Sequence, residues 1–187
     1  MSQKRFGGVI RDAVADDLTA ITAVYAEGVL IGTGTFELAP PDEAEMARRM
    51  AAIAEVGMPW LVAEIDGSVV GYAYVGPFRT RSAYRYTVED SIYILASAQG
   101  RGVGRALLDA LIARCEAAGV RQILAVIGDA ANEGSVRLHA ACGFEPAGAI
   151  RDVGWKFDRW LDVVFMQKTL GTGGDSAPDG PGMPLKG

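Results

Sequence analysis

The chain has 187 residues, half of them hydrophobic, with 18 Lys+Arg against 23 Asp+Glu and a formal net charge of −5. That length suits one domain with a sizeable core, and the acidic balance argues against a nucleic-acid partner. No apolar run approaches the 18 or so residues of a membrane span, and no apolar segment follows the basic start to form a secretory signal.

Two cysteines, Cys115 and Cys142, lie on helix-like apolar stretches and read as small core residues. With a single histidine they fall short of a structural zinc set, so no metal is expected. A cytosolic, cytoplasmic enzyme is the simplest fit.

In chain order, residues 1–7 read as a flexible start and Gly8–Arg11 as a short first strand. Asp16 is placed as a helix N-cap, with Leu18, Ile21, Val24, Tyr25 and Val29 on one stripe of the helix that follows. Ile31–Pro41 is a turn-rich connection holding Thr35 and Phe36. A second helix, Asp42–Val56, opens with acidic residues that suit its N-terminal dipole. Trp60–Ile65 and Val69–Val75 flank Asp66-Gly67 as a hairpin.

A loop carrying Arg79, Arg81, Tyr84 and Arg85 precedes a central strand, Val88–Leu95. A third helix runs through Ala106–Ile112, Gly119 is its C-terminal cap, Gln122–Ile127 is a strand, and a fourth helix follows Asn132. Phe144–Ile150 and Leu161–Thr169 close as a strand pair around a Trp155–Trp160 connection. Residues 171–187, rich in Gly and Pro and without core-forming residues, read as a disordered tail, which leaves 8–170 as the folded domain. The order implies an α/β fold: a mixed, mostly antiparallel sheet with helices on both faces.

Between the central strand and the third helix stands Gln99-Gly100-Arg101-Gly102-Val103-Gly104-Arg105. The first turn of a helix has N–H donors without internal acceptors and a dipole that favours an anion. Glycines let the backbone approach a ligand and adopt the turn's dihedrals. The stretch reads as a pyrophosphate cradle. It lacks the Gly-Lys-Ser/Thr of a P-loop and the spacing of a dinucleotide fingerprint.

What fits is Gln-x-x-Gly-x-Gly, followed by Asn132-Glu133-Gly134-Ser135-Val136-Arg137-Leu138-His139 and Gly143-Phe144. Together these resemble the two halves of the GCN5-related N-acetyltransferase (GNAT) core. Tyr86–Tyr93, Val153–Asp162, Pro59–Glu64 and Ala125–Gly128 narrow the resemblance to the phosphinothricin and methionine sulfoximine N-acetyltransferase branch, over about positions 9 to 170.

The resemblance implies a sheet that splays at an acetyl-CoA site. Ile92, Tyr93 and Ile94 would contact the cofactor arm, with Asn132 reaching it from the far side and Gln99 to Arg105 cradling the pyrophosphate. It also implies a homodimer.

Acetyl transfer to an amine needs a base, a proton for the departing thiolate and an oxyanion donor. The branch points to Glu89 as base and puts His139 where many relatives carry a tyrosine acid. The residues alone leave the division of these roles open. Arg79 and Arg81, with Tyr84, suit a carboxylate or phosphinate, and Thr35 and Phe36 would close the acceptor pocket. The expected acceptor is a small anionic amino-acid analogue, attacked directly in a ternary complex. Another acceptor (a protein N-terminus, a polyamine or an aminoglycoside) and a non-catalytic CoA-binding sensor are the alternatives.

Overall fold

Alternation along the strands dictates the architecture. In β2 (Trp60–Ile65), Leu61 and Ala63 join one core cluster while Trp60 and Val62 join another, and all four are buried. A strand buried on both faces requires cover on both.

The structure, a computed structural model described over residues 6–185, supplies that cover. α1 (Leu18–Ile31) and α2 (Glu43–Glu55) bury Ile21, Val24, Tyr25, Val29, Met46 and Ile53 against Trp60, Val62 and Tyr72. On the opposite face α3 (Val103–Ala117) buries Leu107, Leu108, Leu111 and Cys115 against Leu61, Ala63 and Ala73.

The sheet has seven strands in the order β1-β2-β3-β4-β5-β7-β6. β1 is Val9–Asp12, β3 Ser68–Pro77, β4 Thr87–Ile94, β5 Gln122–Gly128, β6 Glu145–Lys156 and β7 Arg159–Thr169. Only β4 and β5 pair in parallel; every other neighbour is antiparallel. α4 (Glu133–Ala141) follows β5. The mixed, mostly antiparallel sheet with helices on both faces is the one expected from the sequence.

Three local expectations need correction. Asp16 does not cap α1, because a 3-10 turn over Ala15–Asp17 precedes the helix and puts Asp17 at its start. The Asp17 carboxylate turns back to accept from the Val14 N–H at 2.8 Å and from the Arg11 guanidinium at 2.6 and 2.8 Å.

Most of the Trp155–Trp160 connection belongs to the strands themselves. Trp155 pairs with Trp160 and Lys156 with Arg159, so the hairpin runs on to a two-residue turn at Phe157 (φ +53°) and Asp158 (φ +56°). Two positive φ values match the twist of a tight hairpin.

Finally, residues 171–185 carry no helix or strand, yet Met183 is buried in the α3-side core and its N–H donates to the Arg85 carbonyl at 2.9 Å. Of the expected flexible start, residues 1–5 lie outside the described residues, and Phe6 packs against the same core.

Candidate active site

The site begins where a strand pair stops. β4 and β5 pair from Thr87↔Gln122 to Asp90↔Ala125, although both strands continue, to Ile94 and Gly128. On the other edge of β4, the Phe78 N–H donates to the Thr87 carbonyl and the Leu95 N–H to the Val70 carbonyl. Antiparallel bonding alternates along a strand. The main-chain groups of Ser91 and Tyr93 therefore turn to β3, and those of Ile92 and Ile94 turn into the gap. Such an edge is a template for an added strand-like chain. Gln99 closes the far end, with its side-chain nitrogen 3.4 Å from the Ile94 carbonyl oxygen.

At the end of that gap stands the first turn of α3. Gly100 (φ +69°) and Gly102 (φ +83°) take left-handed conformations, and no side chain caps the helix. Helical bonding starts with the Ala106 N–H on the Gly102 carbonyl at 3.1 Å. The N–H groups of Val103, Gly104 and Arg105 thus have no helical acceptor, and all three residues border the cleft.

A Cβ on Gly104 would lie 3.0 Å from both Ile94 Cδ1 and Leu138 Cδ2, so the close approach of backbone here depends on glycine. The Arg105 guanidinium is drawn away to Asp109 (2.6 Å) and the Ala141 carbonyl (2.8 Å), and Arg101 does not line the cleft. What faces an anion here is backbone rather than arginine side chains.

The cleft holds about 880 Å³ and takes in both the gap and the cradle. Glu89 enters it half-buried, on the same side of β4 as Tyr93, facing the layer of α1 and α2. Burial pushes its carboxyl above the ordinary range, the Asp90 charge adds to the rise, and Arg79 opposes it.

Tyr74, Thr35 and Phe36 complete this wall. The Phe36 ring is set against two glycines: a Cβ would come within 2.9 Å of it from Gly128 and 2.3 Å from Gly154. The loop carrying Phe36 is pinned by Lys156, a buried cation whose Nζ donates to the Gly32 and Thr35 carbonyls at 2.9 Å each. The Thr35 hydroxyl bonds to the Tyr25 hydroxyl at 2.9 Å.

His139 reaches the cleft from the other side of the sheet. It sits on α4 with 2 % of its surface exposed, edge-on to the Phe144 ring. Its Nδ1 lies 2.8 Å from the Ser135 carbonyl oxygen and its Nε2 3.0 Å from Asp90 Oδ2. Burial pulls the imidazole down, but the Asp90 hydrogen bond and charge and the Ser135 carbonyl outweigh it, and the net shift is upward. Asn132 caps α4, accepting from the Ser135 N–H at 3.3 Å, and lines the same cleft as Ile92.

Most of the sequence-read residues meet in this cleft: Thr35, Phe36, Glu89, Ile92, Tyr93, Ile94, Gln99, Gly100, Gly102 to Arg105, Asn132 and His139. Tyr93 differs from its neighbours, because its main chain pairs with β3 and its ring packs on Tyr25 and Tyr72. Arg79, Arg81 and Tyr84 do not line the cleft, though the Arg79 charge reaches Glu89. Sequence reasoning missed Asp90 and Tyr74. Strand alternation alone puts Asp90 on the face opposite Glu89, but only the fold shows that α4 brings its histidine to that face.

The geometry agrees with known proteins. Residues 36–144 match the model of the Acetyltransferase (GNAT) family. The chain is 53 % identical over 171 residues to a phosphinothricin N-acetyltransferase of Alcaligenes faecalis, covering 91 % of this chain and 85 % of that one. It is 41 % identical over 162 residues to an L-methionine sulfoximine/L-methionine sulfone acetyltransferase of Pseudomonas paraeruginosa, covering 86 % and 94 %. In fold it is similar to the crystal structure of a GNAT superfamily phosphinothricin acetyltransferase from Sinorhizobium meliloti in complex with acetyl-CoA. That match has a TM-score of 0.91 and 49 % identity over 95 % of this chain and 96 % of the other. With its sheet open beside an uncapped, glycine-led helix, the chain belongs to the GNAT acetyltransferase family.

Proposed function

We propose that this enzyme transfers the acetyl group of acetyl-CoA to the α-amino group of a small anionic amino-acid analogue, with phosphinothricin, methionine sulfoximine and methionine sulfone as acceptors. The relatives support the substrate class. The observation that carries the reading is the cleft itself: an unpaired strand edge at Ile92 and Ile94 runs from the free N–H groups of α3 to a half-buried carboxylate, Glu89. The residues present fit the cofactor, whose thioester supplies an activated acetyl group.

The chain's own residues then divide the work. The N–H groups of Val103 to Arg105 hold the pyrophosphate. Ile92 and Ile94 hold the arm, and the Ile92 N–H is placed to stabilise an oxyanion. Glu89 takes the ammonium proton of the acceptor, a task its raised carboxyl suits better than an ordinary glutamate would. His139 lies across the sheet with both ring nitrogens already engaged, which favours it as the proton source for the leaving sulfur rather than as a second base.

The protons balance. The ammonium nitrogen of the acceptor loses two protons, the first to Glu89, which passes it to solvent, and the second to solvent once the N–C bond has formed. The C–S bond breaks with its electron pair on sulfur, the imidazolium gives sulfur one proton and regains it from solvent, and one proton is released net. Neither cysteine is suited to an acetyl-enzyme: both are buried, and burial first of all pushes the Cys115 thiol up to about 12 and the Cys142 thiol up to about 11. This favours direct attack with both substrates bound.

Half-exposed Ile150, Val153, Trp155, Phe157 and Trp160 on the β6–β7 hairpin support a homodimer. The absence of a long apolar helix among the described residues is compatible with a cytoplasmic setting.

The deciding experiment is thiol release from acetyl-CoA with phosphinothricin, methionine sulfoximine, methionine sulfone, methionine, spermidine and a short peptide as acceptors. Turnover on the first three and little on the rest is expected. Preference for spermidine or the peptide would overturn the acceptor assignment, and cofactor binding without turnover on any would favour a sensor.

A further inference from the structure

Asp90 has no part in the scheme above, yet it is the most constrained polar residue of the cleft. It is the last β4 residue paired with β5, at the point where the strands part. Its side chain faces the α3–α4 layer and is all but closed to solvent. Oδ2 lies 3.0 Å from His139 Nε2, while Oδ1 is buried and has no hydrogen-bond partner in the protein. A buried carboxylate with one idle oxygen is costly unless its other oxygen meets a cation.

The histidine answers to the same logic. A carbonyl oxygen can only accept, so Nδ1 facing the Ser135 carbonyl at 2.8 Å carries a proton. The carboxylate also accepts, so Nε2 carries a second one. Ser135 Oγ, 3.3 Å from Nδ1, does not change this count. Few other charges intervene. Glu89 is next to Asp90 on the opposite face, Cys115 is the titratable group of α3 whose thiol feels the Asp90 charge, and the strand neighbours Val75 and Ala125 are apolar.

We propose that Asp90 is a positioning residue for acetyl transfer: its buried carboxylate fixes the chain's single histidine as an imidazolium, hydrogen-bonded at both nitrogens, at the mouth of the strand gap. The state of the ring follows from these contacts with Asp90 as a carboxylate. Its use, as the proton held for the leaving thiolate, rests on the acetyl-transfer reading. Asp90 acts through His139 and touches neither substrate. It determines whether the acid is charged at working pH.

His139 is the only histidine of the chain, so its ring signals in ¹⁵N and ¹³C spectra need no assignment. In the wild-type protein, without ligands, both nitrogens are expected to report bound protons at pH 7, above the ordinary histidine midpoint of about 6.5. In Asp90→Asn the ring should be neutral at that pH, and Asp90→Glu should restore part of the protonated population. A neutral ring in the wild type overturns the proposal without recourse to any variant, as does a ring unchanged in Asp90→Asn.

The second arm is the pH profile of turnover on whichever acceptor the panel yields. The alkaline limb should move to lower pH by about one unit or more in Asp90→Asn, with kcat at pH 8 reduced at least ~10-fold. An unmoved limb, with the ring shown to have lost its proton, overturns the positioning role. Failure of every acceptor would instead strike the reaction and leave the ring state as measured.

Discussion

Glu89 and Asp90 are adjacent in sequence and serve opposite faces of the same strand. Glu89 looks toward Tyr74 and Phe36, Asp90 toward His139. In the proposed reaction the strand therefore separates a carboxyl that would take a proton from an imidazole that would give one. Because Glu89 must be ionised to act, kcat/KM should fall as pH falls through its pKa. Burial and the Asp90 charge place that limb above the ordinary glutamate value of about 4.3. Arg79 acts in the other direction, so Arg79→Ala should move the limb to still higher pH. Glu89→Gln should lower kcat by about 10²–10⁴-fold and abolish the acid limb. Full turnover of Glu89→Gln at neutral pH would remove Glu89 from the role of base.

At the scale of elements, the wall proposed to meet the acceptor is built by a loop and a hairpin distant in sequence. Lys156 holds the Gly32 and Thr35 carbonyls, and Gly128 and Gly154 make room for the Phe36 ring. Gly154→Ala would place a methyl group 2.3 Å from that ring, so Phe36 must move. The expected result is a several-fold rise in KM for the acceptor with unchanged binding of acetyl-CoA, since the cradle on α3 is untouched; calorimetry with acetyl-CoA and acceptor kinetics separate the two. Equal loss for both substrates would mean that the hairpin supports the sheet rather than the pocket.

This wall also marks the limit of what the sequence disclosed. Apolar alternation and the glycine turn before α3 are local signals, and they place the strands and the cradle; the gap is expected only from the GNAT resemblance. Lys156 and Gly154 act across more than a hundred residues, and nothing near them in sequence reports it. His139 was legible by position, but its partner required knowing that α4 lies over the Asp90 face of β4.

The whole molecule shows the same contrast at its edges. The segment after Leu170 looks coreless by composition, yet Met183 is buried beside Arg85, Leu185 packs on the same core, Arg121 donates to the Gly173 and Ala177 carbonyls, and the Tyr86 hydroxyl donates to the Gly180 carbonyl. The opposite edge, β6 with its hairpin, exposes about half of each of Ile150, Val153, Trp155, Phe157 and Trp160. The two tryptophan rings pack edge-to-face at 5.3 Å across the β6–β7 hairpin, a fixed aromatic surface whose outer strand, β6, has no partner beyond β7 among the described residues. Water is a poor partner for such a surface, and a second copy of the chain offers an identical one. A stable dimer needs a buried area on the order of 1,000 Å² or more, with aromatic residues at its centre. Trp160→Glu would set a charge on each side of that centre and so counts twice in a two-fold interface. Sedimentation should show the wild type at twice the chain mass and Trp160→Glu shifted to the monomer. Because Gly154 and Lys156 of the same hairpin support Phe36, the monomer should also bind the acceptor more weakly while retaining acetyl-CoA. A wild type that sediments as a monomer would overturn the dimer.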